Sequence, residues 1–402
     1  MMRMGVRWAG LAWALACVSA LLAPVAPAQE MRGLWVVRTG LTSPAEVDRV
    51  VDSAAAGGFN ALFVQVRGRG DAFYDAEREP RSLLLHGQPA QFDPLGHLIE
   101  RARLRGLQVH AWINVLLVAG FGAKLPPGHI LQQHPEWAMV PRSAARAAAR
   151  VPRTGLLWLI RKHAQPDPDV EGYYLSPAVP GVGVYLEGVV RDLVRGYPVD
   201  GLHLDFIRYP GRGFDHSPLA LQAFERAFDG REGTEAARLP ALESGAFSSF
   251  RRDVLTGLAA RLAAAGRAER PGTRISAAVV PDEAVALTQK YQDWPVWLAR
   301  GILDAACPMA YTADARQFRR QVERARALAG PRRTVWAGIG AYKLDLAGVV
   351  AQVRSAREAG AQGVVVFSQE SLAAGDWPRL RAAVFAERSA PAAGGAAAGG
   401  GR

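Results

Sequence analysis

One pattern runs along nearly the whole chain and constrains its fold more than any other feature. Short apolar runs rich in Val, Ile and Phe alternate with segments whose apolar residues recur at the helical period. The strand-like runs are Arg32–Thr39, Ala61–Arg67, Gln108–Asn114, Gly201–Ile207, Arg274–Val280, Leu303–Tyr311, Thr334–Ala341 and Gly363–Ser368. The helical segments are Pro44–Ala56, Pro94–Arg105, Val184–Arg195, Phe250–Ala265, Trp294–Arg300, Gln317–Leu328, Leu346–Ala359 and a last helix near Trp377–Glu387. Successive parallel strands need a crossover, and a helix supplies it. Eight such units in order predict an α/β fold, a (β/α)8 barrel. Turns such as Ala56-Gly57-Gly58-Phe59, Arg105-Gly106, Arg300-Gly301 and Ala359-Gly360 close the helices, as glycine C-caps do.

The N-terminus bears on compartment. Met1–Trp8 is short and basic, an apolar run follows to about Val25, and Ala26-Pro27-Ala28 precedes Gln29. Residues 1–28 therefore read as a secretory signal peptide. The run is short of the roughly 20 residues a membrane span needs, and Pro24 and Pro27 interrupt its end. Ala14-Leu15-Ala16-Cys17 resembles a poor lipoprotein signal, but the apolar run continues past Cys17. A periplasmic or secreted protein with no stable membrane span is expected. Once the signal is cleaved, Cys307 is the one cysteine left, which excludes an intramolecular disulfide. It sits in an apolar strand, so a buried structural thiol is expected.

The formal charge is +11, carried mostly by arginine, so anionic polymers or membrane surfaces would attract the protein. Basic runs interleaved with aromatics are missing, so nucleic acid is not an expected partner. Residues 29–388 are assigned to the barrel and 389–402, an Ala/Gly-rich tail, to disorder. Two connections, Leu117–Gly181 after strand three and Gly211–Ser248 after strand four, are far longer than ordinary loops. Both follow a strand and so belong on the C-terminal face, where barrel active sites lie. Within the first, Ser143–Arg150 is alanine-arginine low complexity and reads as mobile.

The strand ends then read as a ring of candidate site residues. Strand one offers Trp35 and Arg38; strand two offers Gln65, Arg67, Arg69 and Asp71; strand three offers His110, Trp112 and Asn114. Strand four carries His203 and Asp205, two apart and so on one face, followed by Arg208 and Tyr209 before Pro210 stops the ladder. Strand five ends at Pro281-Asp282-Glu283, strand six at Tyr311 and then Asp314, strand seven near Tyr342 and Lys343, and strand eight at Ser368-Gln369-Glu370. Aromatic faces stack on pyranose C–H surfaces, polar forks bind hydroxyls, and paired carboxylates hydrolyse glycosidic bonds. Each residue also has a structural reading. Trp35 and Trp112 could fill the barrel, His110 could be a satisfied core histidine, and Arg38 and Arg67 could hold structural carboxylates. Asp282 and Asp314 could cap helices. Asp205, a charge inside an apolar strand, could be paired with Arg208 or Arg67.

Several stretches together resemble one known family. Met31-Arg32-Gly33-Leu34-Trp35-Val36, Val64-Gln65-Val66-Arg67 with Gly70-Asp71-Ala72-Phe73-Tyr74, and His110-Ala111-Trp112-Ile113-Asn114 are similar to its first three strands. Tyr174-Leu175-Ser176-Pro177, the stretch Val199–Pro210 and Pro308-Met309-Ala310-Tyr311 also fit. This is the glycosyl-hydrolase-like 10 family of bacterial envelope and secreted proteins. The resemblance spans about Glu30 to Ala386. It implies a barrel related to retaining glycosidases, with Asp205 as the nucleophile. Some members cleave peptidoglycan glycan strands stripped of their peptides. The chain departs from the family where many members carry a second acidic residue after the strand-four aspartate; here Phe206 stands instead.

The resulting expectation is a glycoside hydrolase acting on a bacterial polysaccharide through two carboxylates and needing no cofactor. Asp205 attacks or steadies the anomeric carbon. Asp282 is ranked first as the acid because it ends the neighbouring strand, then Asp314, then Glu283. The expected substrate-binding residues are Trp35, Arg38, Gln65, Arg67, Asp71, His110, Trp112, Asn114, His203, Arg208, Tyr209 and Tyr311. One alternative is a metal-dependent deacetylase using His110, His203 and Asp205, although no second close histidine pair matches known zinc spacings. The other is a non-catalytic glycan-binding barrel.

Overall fold

Eight parallel strands close into a barrel in the computed structural model, which describes residues 29–228 and 245–386. The barrel strands are β1 (Met31–Val36), β2 (Ala61–Arg67), β3 (Gln108–Asn114), β6 (Gly201–Asp205), β7 (Arg274–Val279), β8 (Ala305–Pro308), β9 (Thr334–Gly340) and β10 (Gly363–Phe367). Each pairs in parallel with its neighbours in chain order, and β10 returns to β1. The remaining strands, β4 (Leu117–Ala119) and β5 (Tyr173–Tyr174), form a separate antiparallel pair. The expected (β/α)8 fold is present. The expected signal peptide and the tail 389–402 lie outside the described residues, as does 229–244 of the second long connection.

The first helix shows how local sequence builds the outer layer. Ser43 caps it by accepting the Glu46 N–H at 3.3 Å, and Pro44 fits its first turn. Val47, Val50, Val51 and Ala54 recur at helical spacing and are buried. Strands packed between this layer and the barrel interior bury both faces, so β2 is buried at every residue.

The inward faces form a second core. Met31, Trp35, Phe63, Trp112, Cys307, Trp336 and Val365 pack together inside the barrel. Cys307 is a free, buried thiol, as expected. His110 stacks on Phe63 with centroids 4.6 Å apart, and His203 meets the same ring edge-on at 5.0 Å. The interior is thus filled by rings up to the level of Asp205.

The long insertion after β3 has structure of its own. The β4–β5 pair anchors its two ends, and helix Arg153–Ala164 lies between them. Ser143–Arg150, expected to be mobile, instead lies mostly in short helical turns over Arg142–Ala144 and Ala145–Ala148. Ala144 and Ala148 join the main core there, so small side chains that look like low complexity serve packing. Among the described residues, no helix is long and apolar enough to cross a membrane.

Candidate active site

At the C-terminal mouth the strand ends surround a cavity of about 410 Å³. Of the residues expected at the site, Trp35, Arg38, Gln65, Trp112, Asn114, Asp205, Arg208 and Tyr311 line it. Parallel register sets them side by side, with Gln65 beside Trp112 and Asn114 beside Asp205. Phe367 stacks on Tyr311 with centroids 5.5 Å apart, and Trp35 meets both rings edge-on, giving the cavity an aromatic wall.

Asp205 closes β6 and is buried. Its Oδ1 accepts the Phe206 backbone N–H at 2.6 Å. Phe206 holds φ +48°, a left-handed conformation that costs a bulky residue energy, and it also lines the cavity. Neither Arg67 nor Arg208 pairs with Asp205. Arg67 is taken by Glu79 at 2.7 Å and Arg208 by Glu171 Oε1 at 2.8 Å. Burial therefore dominates and raises the Asp205 carboxyl to about 6, against the opposing pull of the Arg208 charge and the Phe206 N–H.

A polar network fixes the neighbours. Asn114 Oδ1 accepts from Gln65 Nε2 at 3.2 Å and from the Trp112 indole at 3.0 Å, while its amide donates to Gly68 O at 2.8 Å. Below Asp205 on the same face, His203 Nε2 accepts the Trp35 indole N–H at 3.2 Å. Indole nitrogen only donates, so the histidine proton sits on Nδ1 and goes to Ser276 Oγ, 2.9 Å away. Burial lowers both His203 and His110 to about 3, so both rings are neutral at ordinary pH.

The other expected residues lie elsewhere. Arg67 is buried, clamps Glu79 through Nε at 2.7 and 2.8 Å, and donates to the Val115 carbonyl at 3.2 Å and to the Asn114 carbonyl. That is the structural reading, a strut tying β2 to β3. Asp71 accepts the Arg69 backbone N–H at 2.9 Å and shapes that turn. His110 and His203 belong to the ring-filled interior, and Tyr209 packs edge-on against Tyr291 at 5.2 Å. The structure does not bring Asp282 or Asp314 to the cavity. Both are exposed helix N-caps, accepting N–H groups of Val285 and Gln317 at 2.9 Å. Glu283, the third acid candidate, pairs with Arg324 on the outside. Asparagine caps as well as aspartate. Asp282→Asn and Asp314→Asn should therefore each unfold within about 0.5 kcal/mol of wild type and keep their turnover. Loss of turnover in either would return that residue to the chemistry.

Two members of the ring of strand-end residues that were not among the expected catalytic or binding set, Arg69 and Glu370, also line the cavity. Both sit directly after a strand, so the rim rule that found Asp205 also reaches them. Glu370 follows β10, which stands opposite β6 in the ring of eight. Its carboxylate accepts the Thr39 hydroxyl.

A (β/α)8 barrel with a carboxylate-bearing, aromatic-walled cavity at its C-terminal mouth defines a glycoside-hydrolase-like barrel. More particularly, the chain belongs to the glycosyl hydrolase-like 10 family, whose sequence profile matches residues 30–352. It is 26% identical to glycosyl hydrolase DigH of Escherichia coli strain K12 over 312 residues, 70% of this chain and 66% of that relative. It is 24% identical to glycosyl hydrolase YngK of Bacillus subtilis strain 168 over 200 residues, 45% of this chain and 34% of YngK. The chain thus spans only part of either relative. In fold it is similar to the PgaB (BpsB) glycoside hydrolase domain from Bordetella bronchiseptica, with TM-score 0.66 and 18% identity, over 90% of this chain and 100% of that domain.

Proposed function

We propose that the protein hydrolyses O-glycosidic bonds of a bacterial polysaccharide outside the cytoplasm, with Asp205 and Glu370 as its two carboxylates. One observation carries this: among the described residues these are the two carboxylates that line the cavity, and they do so from opposite strands beside an aromatic wall. A sugar ring stacked on Tyr311 or Phe367 would lie between them. Asp205, once ionised, attacks the anomeric carbon or steadies its positive charge. Glu370, at the exposed rim, protonates the leaving oxygen and then activates water. Retention is the proposed course, read from the anomeric configuration of the first-formed product. The family resemblance puts peptide-free peptidoglycan glycan strands first among substrates to try. The direct test is digestion of a glycan panel with products detected by mass, and release of no shorter glycan from any of them would overturn the proposal.

The acid assignment has its own test. Glu370→Gln should slow glycans with poor leaving groups far more than activated aryl glycosides, which need no proton. Equal losses on both would remove Glu370 as the acid.

The metal-dependent alternative is the weaker reading. The ring nitrogens of His203 are engaged by Trp35 and Ser276, and among the described residues no three His, Cys, Asp or Glu side chains converge. Exhaustive chelation should leave turnover unchanged. Loss that zinc restores would overturn the two-carboxylate mechanism.

A further inference from the structure

Packed rings form the floor of the cavity, so a long glycan that enters it must leave over the rim. At about 410 Å³ the cavity lies at the small end of ligand pockets, and sugars well beyond the reacting bond lie outside it. One stretch of rim carries the aromatic wall outward. Tyr342 stands in the short turn Ala341–Lys343 that directly follows β9. Its ring centroid is 6.0 Å from that of Tyr311 and 6.0 Å from that of Phe367, and it stands nearly perpendicular to both. Gly340, the last residue of β9, permits this closeness. A Cβ there would meet the Tyr311 Cβ at 3.0 Å, so the missing side chain lets Tyr311 lie against the strand end. Lys343 completes the frame: its Nζ donates to the Tyr311 carbonyl at 3.0 Å and lies 5.6 Å from the Tyr342 ring centroid. Tyr342 is nevertheless 55% exposed.

Single exposed aromatic residues are ordinary on a protein surface. Tyr342 differs in two ways: two rings and an ammonium group brace it, and the rings that brace it already line the cavity. A side chain held in one orientation loses little freedom when a ligand covers it. The face of an aromatic ring carries partial negative charge, which matches the slightly positive C–H hydrogens on the apolar face of a pyranose. We propose that Tyr342 is an outer sugar subsite, a platform for a pyranose of the glycan chain beyond the pair that flanks the cleaved bond. The inference rests on the glycoside hydrolase reading and deepens it. It makes the substrate an extended chain, gripped away from the reacting bond, and not a disaccharide. The occupant is recognised by its ring face and not by charge, so the subsite takes neutral sugars. Binding energy gathered at such a distance can be spent on positioning the bond inside the cavity.

Binding tests the subsite separately from turnover. The full chain carrying Asp205→Asn is titrated calorimetrically with two probe series, peptide-free glycan strands and N-acetylglucosamine oligomers, each sorted into disaccharides, tetrasaccharides and hexasaccharides. The expected result is at least one series whose hexasaccharide binds about tenfold tighter than its disaccharide, the scale of one good aromatic contact. Adding Tyr342→Ala should remove most of that gain and leave the disaccharide affinity within about twofold. Tyr342→Phe and Tyr342→Trp should keep the gain, because the ring and not the hydroxyl makes the contact. No gain with length in either series, no binding of either series, a gain that survives Tyr342→Ala, or a gain lost as fully in Tyr342→Phe would each overturn the subsite. Should the alanine variant fail to fold, Tyr342→Leu takes its place, since it keeps apolar bulk against Tyr311 and Phe367 but offers no ring face. Wild type that releases product from a glycan, with a length gain indifferent to Tyr342→Ala, would keep the hydrolase reading and lose the subsite. A gain that depends on Tyr342, with no product from any glycan, would do the reverse.

Discussion

Asp205→Asn should cut turnover by about 10⁴ while making the protein more stable at neutral pH. Asparagine is nearly isosteric and its oxygen can still accept the Phe206 N–H, but it cannot carry the charge the transition state requires. The stability gain follows from linkage. The folded carboxyl titrates at about 6 against 3.8 for a free aspartate, so the folded state holds its proton more tightly. Wild-type stability therefore falls as pH rises from about 4 to about 6, by on the order of 3 kcal/mol, and the deficit persists above that range. The variant escapes it, so the difference between the proteins should be present at pH 7 and vanish near pH 4. Chemical denaturation at both pH values measures it. The same titration should give wild-type turnover an acid limb near pH 6, where Asp205 gains its proton. A variant still within about tenfold of wild-type turnover would remove Asp205 from the mechanism, and one that unfolds would make the residue structural. A glycan-binding barrel without catalysis would show the stability effect alone.

Glu79→Ala should destabilise the protein more than any substitution at the cavity, by about 3–5 kcal/mol, because it strands a buried guanidinium. The Arg67 and Glu79 side chains are both fully buried, and Tyr185 from helix Pro180–Gly196 also donates to Glu79. Arg67 in turn holds the Asn114 carbonyl at the end of β3, next in register to Asp205. Replacing both charges with apolar residues, Arg67→Met with Glu79→Leu, should cost less than Glu79→Ala alone, since no uncompensated charge then remains. Unfolding midpoints of the single and double variants check this. Equal destabilisation would mean that packing rather than charge sets the cost.

The fold was legible because barrel strands and their covering helices carry different periods. Ala61–Arg67, Gln108–Asn114 and Pro44–Ala56 have the same limits in sequence and in structure. The sixth run, expected to reach Tyr311, ends its ladder at Pro308. The site was harder to read. A residue just past a strand can point into the mouth or begin the next helix, and aspartate suits both places, which is why Asp282 and Asp314 looked like acids. Ranking them by nearness to strand four looked along the wall beside Asp205, whereas the second carboxylate lining the cavity, Glu370, follows the strand opposite. Arg67 was misplaced because its partner Glu79 comes from a loop whose path no periodicity reveals.

The rings packed inside the barrel make the cavity a vessel with one opening. Trp35, Phe63, Trp112 and Trp336 are all nearly or wholly hidden from solvent, so packed rings form the floor beneath Asp205. Under the proposed hydrolysis, substrate, departing alcohol, hydrolytic water and the proton that titrates Asp205 would all share the same doorway. A glycan seated there would stopper it, and the order of arrivals and departures would become a matter of traffic at the rim, where Arg38, Arg69 and Glu370 stand.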